Sequence, residues 1–154
     1  MKIQILLVFA SAVLSNCYQS QIRDLAEASY SAAGDWAEVL LVPTDATRII
    51  AHEQTGGLQY LDLFYAFSVK PARVEPALKD ICALCEKRMR RKYIFTRSTA
   101  SPLNSNWPNW AKSAMPWWNP DTISNGIYLE TQDSHDLQIW ADRNTGRIFI
   151  YQSD

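Results

Sequence analysis

The chain has 154 residues, 47% of them hydrophobic, and its 15 basic residues are balanced by 16 acidic ones for a formal net charge of −1. That length and apolar content suit one domain with a single packed core, and nothing in the near-neutral balance suggests nucleic acid as a partner. There is no internal repeat or low-complexity tract, and no apolar run approaches the roughly 20 residues needed to cross a bilayer.

Residues 1–16, "MKIQILLVFASAVLSN", carry one cation at Lys2 and an apolar run from Ile5 to Leu14 broken only by Ser11. A charged start, a short apolar stretch and then small residues make a signal peptide, so the chain is expected to be exported to the periplasm or cell envelope. Residues 17–154 are then expected to form a single domain. Cys17 directly follows "LSN", and the stretch resembles the lipobox of bacterial lipoproteins. The resemblance implies acylation of Cys17, which would become the mature N-terminus and anchor the protein to the membrane by lipid. Asn16 departs from the small residue usual at that place, and ordinary cleavage after Ser15 is the alternative.

Residues 20–33 place Ile22, Leu25, Ala26, Ser29 and Ala33 on one face at helical spacing, with Ser20 as N-cap and Gly34 as stop, which predicts a short N-terminal helix. "WAEVLLVP" (36–43) reads as a strand ended by Pro43, and "ATRIIAHEQ" (46–54) as a second, weaker one. Gly56 and Gly57 mark a hairpin turn. Residues 58–69, "LQYLDLFYAFSV", alternate strictly, with Leu61, Leu63, Tyr65, Phe67 and Val69 on one face. Period two over this length predicts a strand inside the sheet.

From Pro71 to Arg91 the period becomes helical, with Val74, Leu78, Ile81, Cys82, Cys85 and Met89 in one stripe and Pro76 tolerated in the first turn. This is the expected principal helix. "KYIFTR" (92–97) is a short strand, and an ordered loop then runs to about Asp121. "NGIYLETQ" (125–132), "HDLQIWAD" (135–142) and "RIFIYQ" (147–152) close the chain as strands, the last two joined by a turn at Asn144, Thr145 and Gly146. Helices do not alternate with strands, so the expected fold is α+β: a mainly antiparallel sheet with one principal helix packed on one face and a short N-terminal helix.

Few residues suggest chemistry. Cys82 and Cys85 form "CALC" on the apolar face of the principal helix, well after its start, whereas a redox-active pair would sit at a helix N-terminus. They are expected to be two buried thiols or one local disulfide. Ser134, His135 and Asp136 are neighbours in sequence and so cannot converge as nucleophile, base and orienter. His52 with Glu53 lacks the second histidine of a zinc helix, and both histidines are expected at the surface or at strand ends. Asp142, Asn144 and Gly146 echo the start of a calcium loop, but a hairpin turn explains all three. No cofactor, metal or catalytic residue is expected, and the chain is read as a non-enzyme.

Two stretches are candidates for binding. "EKRMRRK" (86–92) puts Lys87, Arg88, Arg90, Arg91 and Lys92 at the end of the principal helix. It is either a solvated helix end, favoured by the dipole, or a contact for an anionic partner. "NWPNWAKSAMPWWNP" (106–120) holds four of the six tryptophans and three prolines. It is either a lid closing the core or an aromatic platform. Trp107 and Trp110 have the spacing of a helical turn and are expected to be structural. Of Trp117 and Trp118, adjacent in an extended segment, at least one is expected to face outward as a binding anchor.

The "LVPTDA" turn, the "LDLFYAF" strand leading into a helix, the "WWNP" loop and the closing "DRNTG" hairpin together resemble the small exported or lipoprotein-type bacterial domains of uncharacterised function, some of which act as toxin-immunity proteins. That resemblance implies an envelope binding protein, an immunity protein or inhibitor whose partner is a toxin or hydrolase. A carbohydrate- or peptidoglycan-binding module stacking sugars on the tryptophans is the alternative.

Overall fold

A computed structural model describes residues 21–56, 60–90, 92–99, 114–132 and 137–153. Seven strands form one sheet: β1 (Gln21–Ala28), β2 (Thr47–Gly56), β3 (Tyr60–Ser68), β4 (Phe95–Ser98), β5 (Gly126–Thr131), β6 (Leu137–Asp142) and β7 (Arg147–Ser153). Their spatial order is β1-β2-β3-β7-β6-β5-β4, and every pairing is antiparallel. A four-residue helix α1 (Trp36–Val39) and the principal helix α2 (Val74–Met89) complete the α+β fold expected from the sequence. No helix among the described residues is long and apolar enough to cross a membrane.

The alternation in β3 is used on both faces. Leu63, Tyr65 and Phe67 point to the face that carries α2, where they join Ile49 and Ala51 of β2, Ile127 of β5, Ile139 of β6 and Ile148 and Ile150 of β7. Phe64 and Ala66 point the other way. With β2 on one side and β7 on the other, β3 is buried from both faces, which is why its sequence is apolar in both registers. The helix contributes Val74, Ala77, Leu78, Ile81 and Cys85 to the first face. Met89, the next position of the predicted stripe, is exposed instead. Arg88, three residues beyond Cys85 and also exposed, donates from Nη1 to the Val39 carbonyl.

Two expectations in the N-terminal part are corrected. Residues 21–28 pair with β2 as an edge strand, from Gln21 opposite Thr55 to Ala28 opposite Ile49, and the helical turns fall later, at Tyr30–Ala32 and Trp36–Val39. The helical spacing of 20–33 is overridden because β2 presents an unpaired edge, and backbone pairing with it outweighs a weak intrinsic preference. "WAEVLLVP" is no strand either. Its first four residues form α1, and Leu40, Leu41 and Val42 then cross the helix-bearing face as buried, extended chain. The buried Leu41 amide is satisfied by donating to the Tyr65 hydroxyl at 3.2 Å rather than to a neighbouring strand.

The second face of the sheet is closed by the end of the tryptophan segment. The pairings align Ile50, Ala66, Phe149, Trp140 and Tyr128 across five adjacent strands. Met115, Trp118 and Ile123 pack onto that row. Trp118 meets Phe64, Trp140 and Phe149 edge-on, with ring centroids 5.2, 6.1 and 5.5 Å away. Such edge-to-face contacts set the positive rim of one ring against the negative face of another.

The "DRNTGR" turn has the geometry expected of it. Asp142 accepts from the Asn144 amide and the Thr145 hydroxyl, each at 2.8 Å, so both its carboxylate oxygens are engaged in the turn. Gly146 has φ +74, and its carbonyl accepts from the Val69 amide at 3.0 Å.

Candidate functional site: the basic end of the principal helix

Helix α2 stops at Met89 because Arg90 turns into the left-handed conformation, φ +50, at a place where glycine is the usual occupant. Beyond it the chain folds back, and the Tyr93 amide donates to Glu86 Oε1 at 3.4 Å. The result gathers Lys87, Arg88, Arg90 and Lys92 at one end of the helix. Arg91, also expected there, lies outside the described residues.

The same end exposes apolar side chains. Val39 is 46% exposed, Met89 48% and Ile94 64%, and among the described residues only Ile22 joins them as an exposed large hydrophobic. Scattered apolar residues on a surface carry no message, but Met89 lies in the basic run, Val39 is tied to it through the Arg88 bond to its carbonyl, and Ile94 follows Met89 by five residues, so three of the four flank one basic helix end. Interfaces combine apolar anchors with a charged surround in this way.

A groove of about 620 Å³ leads along α2 into the patch, between the helix and the 30–45 segment, with Tyr30, Val42 and Leu84 in its walls and Lys87 and Arg88 at one end. Its other cation, Arg73, is already held by Asp45 at 3.0 Å and Asp80 at 3.4 Å. The open positive charge of the groove is therefore at its Lys87 end.

On the opposite flank of α2 a second groove, about 380 Å³, is lined by Glu75, Leu78, Cys82, Phe95 and Arg97. Cys82 and Cys85 are free thiols, not the disulfide that was one expectation. Both lie on a continuous helix against the core, and burial, reinforced by Cys85 and Glu86, pushes the Cys82 thiol up to about 11. A thiol that stays protonated at neutral pH is a poor nucleophile and a poor metal ligand.

The tryptophan expectation divides between its two residues. Trp118 is 2% exposed and belongs to the core, which corrects its assignment as a binding residue: Phe64, Trp140 and Phe149 leave no face of the indole for a ligand. Trp117 is half-buried, edge-on to Trp118 at 5.7 Å. Trp107, Trp110, the Ser134–Asp136 run, Cys17 and residues 1–16 lie outside the described residues.

His52 is buried rather than at the surface, and its Nδ1 is 2.6 Å from Asp24 Oδ1 on β1. That pair staples the edge strand to β2, and the register places Asp24 directly opposite His52. No group of three or more histidine, cysteine, aspartate or glutamate side chains among the described residues is placed to hold a metal ion. The apolar members of the helix-end patch escaped the sequence reading. Ile94 sat inside a predicted strand, Val39 inside another, and Met89 on the buried stripe. Comparison with protein families, with curated proteins and with solved structures finds no match to this chain.

Proposed function

We propose that this chain is a non-enzymatic binding protein of the cell envelope, acting as an immunity protein or inhibitor of a toxin or hydrolase, and that it docks through the basic end of α2. The observation that carries the reading is that three exposed large hydrophobics, Val39, Met89 and Ile94, flank the helix end that carries Lys87, Arg88 and Arg90. The partner it fits is a protein with an acidic rim around an apolar contact. The cations would steer encounter and fix register, and the apolar side chains would supply the desolvated centre. Envelope location rests on the signal-peptide pattern of residues 1–16 and the lipobox-like stretch at Cys17. The glycan-binding alternative is weakened by the burial of Trp118, which removes one of its two stacking surfaces.

A photoreactive amino acid placed at position 94 tests the reading, with position 22 as the exposed apolar control away from the patch. Irradiation in the native envelope is expected to yield one acidic adduct from position 94 and none from 22, identified by mass spectrometry. Equal yields from both positions, or no adduct from 94, would count against the patch.

A further inference from the structure

At the end of the sheet where β7 begins, the sheet register sets Arg147 opposite Ser68 on β3, and Ser68 opposite Thr47 on β2. Between Thr47 and Ile50 the β2 register slips by one residue, a β-bulge, and there Arg48 is held at φ +53. With Arg90 it is one of the two non-glycine residues in the left-handed region among those described. The bulge brings the Arg48 carbonyl to Arg147, whose Nη1 donates to it at 2.8 Å and to Ser68 Oγ at 3.3 Å. Both arginines line a pocket of about 280 Å³ with Ser68, Asn119, Thr122 and Phe149.

Arg48 and Arg147 are formally matched by Glu27 and Asp142, but only Arg48 has a carboxylate in contact. Arg48 is satisfied by Glu27, with Nε and Nη2 donating at 3.1 and 3.3 Å. Asp142 also lines the pocket, but both its oxygens are taken by the hairpin turn. Arg147 has no carboxylate within ion-pair reach among the described residues. Its Nε and Nη2 make no hydrogen bond there, and its guanidinium carbon lies 5.7 Å from the Phe149 ring centre. Burial, with the Arg48 charge adding to it and the Glu27 charge opposing, pulls the Arg147 guanidinium down to about 10. A half-buried cation with spare donors is incompletely satisfied, and an anion would complete its hydrogen bonding. Backbone strain such as that at Arg48 gathers at binding sites, where surrounding structure enforces it.

We propose that this pocket binds a small oxyanion, a phosphate or carboxylate group, between Arg147 and Arg48, with the Ser68 hydroxyl and the Asn119 amide as additional donors. The planar fork of Arg147 offers Nε and Nη2 side by side, the geometry that takes two oxygens of one oxyanion. The neutral rest of the ligand would lie on Phe149 and Ile123. No residue of the pocket belongs to the helix-end patch, so the site stands or falls independently of it.

The test is the melting temperature of the protein in sodium phosphate, sodium acetate and sodium chloride at matched ionic strength, each over a range of concentrations. A saturable rise in phosphate or acetate beyond that in chloride is expected, phosphate alone identifying a tetrahedral oxyanion and acetate alone a carboxylate. Arg147→Met is expected to move the midpoint at least tenfold to higher concentration. Should that variant fail to fold, Arg48→Gly decides, because glycine accepts the left-handed backbone while removing the second cation. No rise beyond chloride, or an unchanged midpoint in whichever variant folds, would overturn the site.

Discussion

Gly146 is the residue whose replacement has the most predictable cost. A Cβ there would lie 2.0 Å from the Val69 carbonyl oxygen, and its φ of +74 is unfavourable for any L side chain. Gly146→Ala combines backbone strain with overlap against an immovable main chain, so a loss of about 2–5 kcal/mol is expected, read from denaturant unfolding. The turn was legible because its glycine, asparagine and aspartate each have one dominant local use. Trp118 was not: the adjacent tryptophans read as an extended segment, whereas the Trp118 amide donates to the Met115 carbonyl at 2.9 Å and closes a turn that seats one ring on the sheet. Trp118→Ala should cost about 3–5 kcal/mol, the range for deleting a fully buried large aromatic. Trp117→Ala should cost about half as much or less, because its ring is only partly buried and keeps some of its surface in water. Thermal melting of the two variants side by side checks this, and equal losses would mean that both rings are core.

At the scale of elements, α2 is held at its start by a carboxylate shared between two arginines. Glu75 accepts from Arg97 on β4 and, at 3.1 Å, from Arg143 in the β6–β7 turn. The Arg97 hydrogen bond, with Arg143 adding to it, holds the Glu75 carboxyl below its ordinary range. A depressed carboxyl contributes stability above its unfolded pKa and loses it as pH falls through the folded value. The stability gap between the wild type and Glu75→Gln is therefore expected to be full above about pH 5 and to close at more acid pH. All three side chains are substantially exposed, so the gap should be about 1 kcal/mol or less.

Cys82 gives a second pH test on the same helix. Its thiol titrates near 11, above the ordinary cysteine value, so alkylation by iodoacetamide should be slow at neutral pH and rise toward pH 11. A rate already saturated at pH 8 would mean a thiolate stabilised by something else. Helix α2 and β3 were legible because each holds one period over nine or more residues. The N-terminal segment was not, because β1 exists by virtue of the edge it pairs with, and α1 is a single turn fixed by what it packs on. The groove beside α2 was equally invisible, since Asp45, Arg73 and Asp80 come together only when the 30–45 segment crosses the helix.

Over the whole molecule, two faces of one sheet are closed by different means, a helix on one side and the Met115–Ile123 stretch on the other. The two surfaces proposed for binding lie at the margins: the helix end and the β7 end of the sheet. The basic run of the helix end was visible in the sequence as a cluster of like charges, but its apolar companions come from separate segments and needed the fold to assemble them. Both margins hold an arginine in a conformation that glycine would adopt without strain. Arg90 carries the charge into the helix-end patch, and Arg48 frames the oxyanion pocket.

The most direct test of the docking surface is the affinity of the partner captured from position 94, purified and titrated against the wild type, Lys87→Glu/Arg90→Glu and Trp117→Ala. Neither Lys87 nor Arg90 supports the core, so the double variant should melt with the wild type. It is expected to bind at least tenfold more weakly, about 1.4 kcal/mol or more, with most of the change in the association rate and in its salt dependence. Trp117→Ala should bind as the wild type does. Unchanged affinity in the charge-reversed variant, with binding lost in Trp117→Ala, would contradict docking through the helix end and place the contact on the tryptophan segment.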